Sequence, residues 1–278
     1  MIDLLVDSGA TKAEWRTIPP LNTESIFTQG IHPYFQSKED MENIIDKELI
    51  PELSQQRIAK IYYYGAGCAA KDKSNLVKNV LQKKFPSTQI QVWTDMLGGA
   101  RALCQRNKGI ACTLGTGANV VVYDGENIIE HLSGLGYVLG DEGSGAYFGK
   151  KIIQMYLYDE LEKSVKNEFE KLFRTSKDEI LNNIYRKPNA SRYLSGFCKL
   201  LINQRGNKQV ESLIHNGLLE VFQRHIFKIE KYNTLPIHFT GSISYYFKDV
   251  LALICKENNL NLGNVIKNPM DGLIKFHN

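Results

Sequence analysis

Ile110-Ala111-Cys112-Thr113-Leu114-Gly115-Thr116-Gly117-Ala118-Asn119-Val120-Val121-Val122-Tyr123 reads as a strand, a Gly/Thr turn and a returning strand, ended by Asp124-Gly125. Apolar and β-branched runs flank a turn whose glycines accept the bend. The N-terminus follows the same grammar. An apolar run over 2–6 enters Asp7-Ser8-Gly9-Ala10-Thr11-Lys12, and 12–18 pairs back as a hairpin. A strand, turn and strand that recur at long range indicate two related lobes rather than a short solenoid period.

Outward from these hairpins, strands and helices alternate. Met41, Ile44, Ile45 and Leu49 share one face of a helix predicted over 39–49. A strand over 58–64 ends at Gly65-Ala66-Gly67. A helix over 75–85 leads to a strand over 90–93, which stops at Thr94-Asp95. The stretch 145–232 is mostly helical, interrupted at Lys187-Pro188-Asn189 and Arg205-Gly206-Asn207. A strand over 236–240 enters Gly241-Ser242, and a helix then runs through Val250, Leu251 and Ile254. A last strand covers 261–266, and Asn268-Pro269 opens a closing helix. The pattern predicts an α/β protein with an N-terminal lobe over 1–107 and a C-terminal lobe over 108–267. The second lobe carries a helical insertion over about 151–232, and the closing helix, about 268–278, can return to the first. The boundary is expected near 105–109, a polar stretch between helix and strand.

Composition narrows the function. The 278 residues are 43% hydrophobic and 23% charged, values of a folded globular chain. Lys+Arg exceed Asp+Glu by 34 − 30 = 4, too small and dispersed an excess for nucleic acid to be the default partner. Pairs such as Lys83-Lys84 and Lys150-Lys151 read as solvated surface. No apolar run approaches the ~18 residues of a membrane span. The opening residues carry Asp3 and Asp7 where a signal peptide carries base. These features predict a cytoplasmic protein without a membrane partner. Five cysteines without a C-x-x-C and six scattered histidines predict buried thiols and no structural metal. Tyr62-Tyr63-Tyr64 and Tyr245-Tyr246-Phe247 are read as core.

Three Gly-rich segments follow predicted strands: Asp7–Lys12, Leu114–Asn119 and Thr240-Gly241-Ser242-Ile243-Ser244. Glycine lets backbone amides turn toward an anion, and Thr or Ser hydroxyls add donors. Two such turns can hold a polyphosphate. Asp7, at a strand end beside the first turn, suits a Mg²⁺ ligand or an Asx-type turn residue. Asp95 ends another strand before Met96-Leu97-Gly98-Gly99-Ala100 and suits a general base or a helix N-cap. Gly134-Leu135-Gly136-Tyr137-Val138-Leu139-Gly140-Asp141-Glu142-Gly143-Ser144-Gly145 combines its glycines with adjacent acids before a helix, the composition of a ligand loop. Gly149-Lys150-Lys151 fails the Walker A pattern, and no G-x-G-x-x-G follows the first strand.

Together these residues resemble the sugar-kinase/actin/Hsp70 superfamily of ATPases. Within it they resemble the BadF/BadG/BcrA/BcrD-type ATPase family and its N-acetylglucosamine kinase branch. The segment Asp7–Lys12 is similar to that family's first phosphate motif, Leu114–Asn119 to the second and Thr240–Ser244 to the adenosine motif. Asp95 falls at the branch's catalytic base, and Gly134–Ser144 resembles its amino-sugar loop. The resemblance implies a duplicated ribonuclease-H-like, actin-like ATPase fold whose lobes close over a hexosamine, with ATP and Mg²⁺ in the cleft between them. It implies nucleotide contacts at Asp7, Ser8, Gly9, Thr11, Lys12, Gly115, Thr116, Gly117, Gly241, Ser242 and Tyr245, with Asp7 as the metal ligand. Sugar contacts fall at His32, Gly134, Leu135, Gly136 and Asp141. His32 stands where the branch has Asn, and Leu135 where it has Trp.

The resemblance therefore implies phosphorylation of an amino sugar such as N-acetylglucosamine, in a protein that can form a homodimer. The alternatives are an ATPase that activates a partner enzyme and a non-catalytic sugar- or nucleotide-binding protein. Family activators of the first kind hold an iron–sulfur cluster on clustered cysteines, a pattern that Cys104 and Cys112 do not offer.

Overall fold

A computed structural model describes residues 1–18, 25–53 and 57–278. Among them run ten strands: β1 (Ile2–Ser8), β2 (Ala13–Ile18), β3 (Ile26–Thr28), β4 (Ile58–Gly65), β5 (Gln89–Thr94), β6 (Gly109–Leu114), β7 (Ala118–Tyr123), β8 (Ile128–His131), β9 (Ile237–Thr240) and β10 (Leu262–Ile266). They form two five-stranded sheets, ordered β3-β2-β1-β4-β5 and β8-β7-β6-β9-β10. In each sheet the first three strands in sequence are antiparallel neighbours, and the fourth and fifth add in parallel. Order and direction are thus the same in both, which is the duplication read from the two hairpins. β3 and β8 are too short for the alternation rule to detect.

The chain divides into two compact units. The first holds residues 1–106, 125–127 and 269–278; the second holds 107–124 and 128–268. In the first unit Leu4, Leu5 and Val6 are all fully buried, as in a strand covered on both faces. Leu4, Val6, Trp15, Ile61 and Tyr63 share a core with Val77, Val80 and Leu81 of the helix Lys71–Lys84. The helix Met270–His277 lies along the helix Asp95–Cys104, with Gly272 against the Ala102 backbone. Gln105 Nε2 donates to the Gly272 carbonyl at 3.0 Å.

The helix predicted over 39–49 is built differently. An α-helix, Lys38–Ile44, starts at a capping box between Ser37 and Asp40. A π-helical turn, Ile45–Leu49, and a short 3₁₀ turn, Ile50–Glu52, follow. Pro51 lacks the N–H that a continuing α-helix needs, and the wider turn keeps both Ile45 and Leu49 buried.

The second unit carries most of its helices between β8 and β9, among them Gly145–Leu157 and Lys208–Arg224. Its core joins Ile110, Cys112 and Val120 of the sheet to Phe148, Phe222 and Phe239. Of the two aromatic runs expected in the core, Tyr63, Tyr64 and Phe247 are buried and Tyr62 is half-buried. Tyr245 and Tyr246 are exposed, which corrects the expectation for that pair. They end a five-residue helix, Ser242–Tyr246, whose inner face is filled by Ile243 and Ser244. All five cysteines are buried, and none forms a disulfide. Among the described residues, no helix is long and apolar enough to cross a membrane.

Candidate active site

In the first unit, the parallel strands β1, β4 and β5 deliver their C-terminal ends to one edge. Ser8 pairs with Gly65, and Gly65 with Thr94. Asp7 and Asp95 therefore stand one strand apart from each other across β4, roughly 10 Å at two strand spacings. Between them on β4, Tyr64 stands beside Asp7, and Gly65 beside both Ser8 and Thr94. A Cβ on Gly65 would overlap the Tyr63 ring and lie 3.1 Å from Cys68 Sγ.

Asp95 is the first residue of its helix and not the cap. Thr94 caps, its Oγ1 accepting from the Met96 amide at 3.0 Å. Asp95 Oδ1 accepts from the same amide at 3.0 Å. Burial raises the Asp95 pKa above the usual carboxylate range; the amides of Met96 and Asp95 and the Thr94 hydroxyl partly offset it. The acid is thus held in a defined orientation with a proton affinity above that of a free carboxylate, as a general base requires.

Burial pushes Asp7 up to about 7, with further contributions from the negative charges of Asp95 and Glu14. Among the described residues, its carboxylate accepts no hydrogen bond from a backbone amide of the kind that forms an Asx turn. A buried carboxylate among acids and without a cation is poorly compensated. A magnesium ion fits this position. Among the described residues no three His, Cys, Asp or Glu side chains cluster to hold a metal. Mg²⁺ characteristically takes one or two carboxylates and completes its shell with water and phosphate oxygens.

The turn between β1 and β2 closes with the Gly9 amide donating to the Lys12 carbonyl at 3.0 Å. Gly9, Thr11 and Lys12 are exposed. Lys12 Nζ rests 3.6 Å from the centroid of the Phe27 ring. Ser8, expected to meet the nucleotide, is fully buried. Its Oγ accepts from the Ile31 amide at 3.1 Å, so its hydroxyl is spent on the fold. Gly30 lies so close that a Cβ would overlap the Gly9 carbonyl and the backbone of Ala10 and Lys12. The partners Gly30 touches are about twenty residues away in the chain.

His32 follows on that segment, half-buried, stacked on Phe35 with centroids 4.5 Å apart. Its Nδ1 accepts from the Tyr34 amide at 3.4 Å, which leaves Nε2 as the protonated nitrogen. Burial lowers its pKa, so the ring is neutral near pH 7. A single donor is available, where an Asn would offer both a donor and an acceptor.

In the second unit, β6, β9 and β10 end together. The Gly115 amide donates to the Gly117 carbonyl at 3.0 Å, which forms the second turn. The carbonyls of Gly115 and Thr116 accept from Gly145 and Ala146, at 2.7 and 3.0 Å, at the start of the helix Gly145–Leu157. Gly241 sits against this turn at φ 113°, and a Cβ there would overlap the Leu114 carbonyl. Both demands select glycine. Ser242 and Tyr245 follow on the exposed side, with Lys267 Nζ 5.9 Å from the Tyr245 centroid.

Asp141 reaches from its loop to the second turn. Its Oδ2 would be 3.0 Å from a Cβ on Gly117, so the carboxylate rests on the second turn. Burial raises its pKa, while the Ala118 amide and Lys150 hold it down and Glu142 adds to the rise. Gly134, Leu135 and Gly136 are exposed, Leu135 at 66%. Glu142 anchors the loop from within. Its Oε2 is 3.0 Å from His225 Nε2, and its Oε1 3.4 Å from Arg224 Nε. His225 Nδ1 in turn bonds the Leu132 carbonyl at 2.8 Å. Glu142 and His225 lie 83 residues apart, and no local signal joined them.

No family model matches the chain, and no curated protein matches it in sequence. Among solved structures, the provisionally named N-acetylglucosamine kinase of Porphyromonas gingivalis is 34% identical, with 99% of this chain and 98% of that chain covered at a TM-score of 0.92. A provisionally named N-acetylglucosamine kinase of Chromobacterium violaceum is 13% identical over 100% of this chain and 99% of its own, at 0.75. The ROK family glucokinase of Streptomyces griseus, solved with glucose and AMPPNP, is 11% identical over 99% and 98%, at 0.56. The last two show a shared fold. With about a third of its residues shared along nearly its whole length with the Porphyromonas protein, this chain belongs to the N-acetylglucosamine kinase-like family.

Proposed function

We propose that this protein transfers the γ-phosphoryl group of ATP, with Mg²⁺, to a hydroxyl of an amino sugar such as N-acetylglucosamine. The observation that carries the reading is the whole-length relationship to the Porphyromonas protein, joined to an oriented, proton-retaining acid at the end of β5.

In this reading the backbone of Gly9–Lys12 and of Gly115–Gly117 binds the phosphates. Gly241, Ser242 and Tyr245 take the nucleoside. Asp7 would hold the magnesium ion, which when bound supplies neutralising charge on the phosphate oxygens. His32, Gly134, Leu135, Gly136 and Asp141 contact the sugar, His32 donating through Nε2. Asp95 accepts the proton of the attacking hydroxyl as its oxygen bonds to the γ-phosphorus. The bond from that phosphorus to the bridging oxygen breaks, ADP leaves, and the proton passes from Asp95 to solvent. Phosphoryl transfer asks mainly for positioning and charge stabilisation, and these side chains supply both. Water is the rival nucleophile.

Coupled ADP release across a panel of amino sugars tests the proposal. Basal ATP hydrolysis should be slow and rise many-fold with the correct sugar. A flat rate across a panel that includes N-acetylglucosamine, glucosamine and N-acetylmuramic acid would overturn it.

A further inference from the structure

A cavity of about 550 Å³ opens in the second unit, away from Gly115–Gly117 and Gly241. Its walls come from the helices Gly145–Leu157, Lys177–Tyr185 and Ala190–Gly196, with Ile153, Leu157, Ile180, Ile184 and Leu194 facing it. The short helix Gly136–Leu139 closes one side with Tyr137 and Val138. The volume falls within the range of small-molecule sites, about 300–1,000 Å³. The rim leaves large apolar groups in water: Tyr158 is 75% exposed and Tyr185 78%. Apolar surface gathered around a concavity marks a binding site more often than an idle surface.

The charge of the cavity is one-sided. Lys150 and Lys177 line it, and no acidic residue does. Among the described residues, neither ammonium lies within ion-pair distance of a carboxylate. Lys150 Nζ donates instead to the Tyr137 carbonyl at 3.2 Å. An occupant that satisfies both walls and lysines carries an aliphatic or aromatic body and one anionic end.

We propose that this cavity is an effector site for a small amphipathic carboxylate, and that its occupancy is felt by the segment 134–139. The link is material. Tyr137 and Val138 are at once cavity wall and loop, and Lys150 holds the loop by the Tyr137 carbonyl. A carboxylate that pairs with Lys150 competes with that bond. The Lys150 charge also bears on Asp141, beside the larger effect of the Ala118 amide, so the same event is felt next to the second turn. The binding claim stands apart from the kinase reading; only an effect on sugar affinity would rest on it.

The test uses the full chain without sugar or nucleotide and decanoate as the probe, below its micelle concentration, read by calorimetry. We expect saturable one-to-one binding, weakened at least tenfold by Leu181→Trp, which fills the cavity from a half-exposed position. The pair Lys150→Gln and Lys177→Gln should weaken it at least fivefold. Bound decanoate should change amide hydrogen exchange over 134–139. Thermal melts confirm that each variant is folded. Absence of saturable binding overturns the proposal, as does binding indifferent to Leu181→Trp. A dimer seen by light scattering that Leu181→Trp dissociates would assign the cavity to a second copy of the chain and equally overturn it. Binding with unchanged exchange over 134–139 overturns the coupling to the loop.

Discussion

Asp7 and Asp95 flank β4 at one sheet edge, and burial, with the negative charges of Asp95 and Glu14, brings Asp7 to about 7. Under the function proposed above, the two acids of this sheet edge take separate tasks: Asp7 would lose its proton to a cation, and Asp95 would gain one from the sugar hydroxyl. Asp95→Asn keeps the size and the amide contacts but removes the proton acceptor. We expect kcat to fall by about 10²–10⁴, with the sugar KM within a few-fold. Steady-state kinetics with the best sugar of the panel decides it, and unchanged turnover would remove Asp95 from the mechanism.

Asp7 also sets a pH dependence of stability. Its folded pKa, about 7, stands above the 3.8 of a free aspartate side chain, so the folded form binds more protons between these values. The contribution is fully present below about pH 4 and is lost as pH rises through about 7. It is on the order of a few kcal/mol. Without nucleotide and magnesium, melting temperature should fall from pH 5 to pH 8. Asp7→Asn should flatten that fall and melt higher than the parent at pH 8. An unchanged slope in the variant would show that Asp7 carries its charge without cost.

Gly30→Ala tests the contact beneath the first turn. The added methyl has no room against Gly9, Ala10 and Lys12, so the turn must move. Overpacking of this kind costs about 1–3 kcal/mol. We expect the ATP KM to rise at least tenfold, with a smaller change in the sugar KM, in a protein that still shows a cooperative melt. Equal losses for both substrates would argue that the turn does not serve the nucleotide.

His225→Ala removes the buried partner of Glu142 and leaves a carboxylate with only the exposed Arg224 nearby. Loss of one member of a buried pair costs about 3–5 kcal/mol. Urea unfolding should show a loss near the lower end of that range, since Arg224 remains. His225→Ala with Glu142→Gln should recover part of it. The sugar KM should rise in the single variant, because Glu142 adjoins Asp141. A neutral single variant would mean that the pair does not hold the loop.

The sequence made the two hairpins, the strand-end acids and the second turn legible because each is local: an apolar run, then Gly and Thr or Asp within a few positions. The contacts that make these pieces a site are long-range. Gly30 under the first turn and His225 on Glu142 carry no mark in the neighbouring residues. The contact of the Asp141 carboxylate with Gly117 likewise joins positions whose spacing in the chain does not announce it. Tyr245 and Tyr246 were assigned to the core by residue type. Their helix is too short to turn both rings inward once Ile243 and Ser244 have taken its inner face. In the helix near Met41, the apolar spacing was right for burial and blind to the π turn that Pro51 brings about.

The helix Met270–His277 belongs to the first unit but is synthesised after the whole of the second. On the ribosome, the helix bearing Asp95 must therefore wait uncovered while residues 107–268 emerge and fold. The first unit can be finished only afterwards, which makes the maturation of the base-bearing half depend on the other half having already left the exit tunnel.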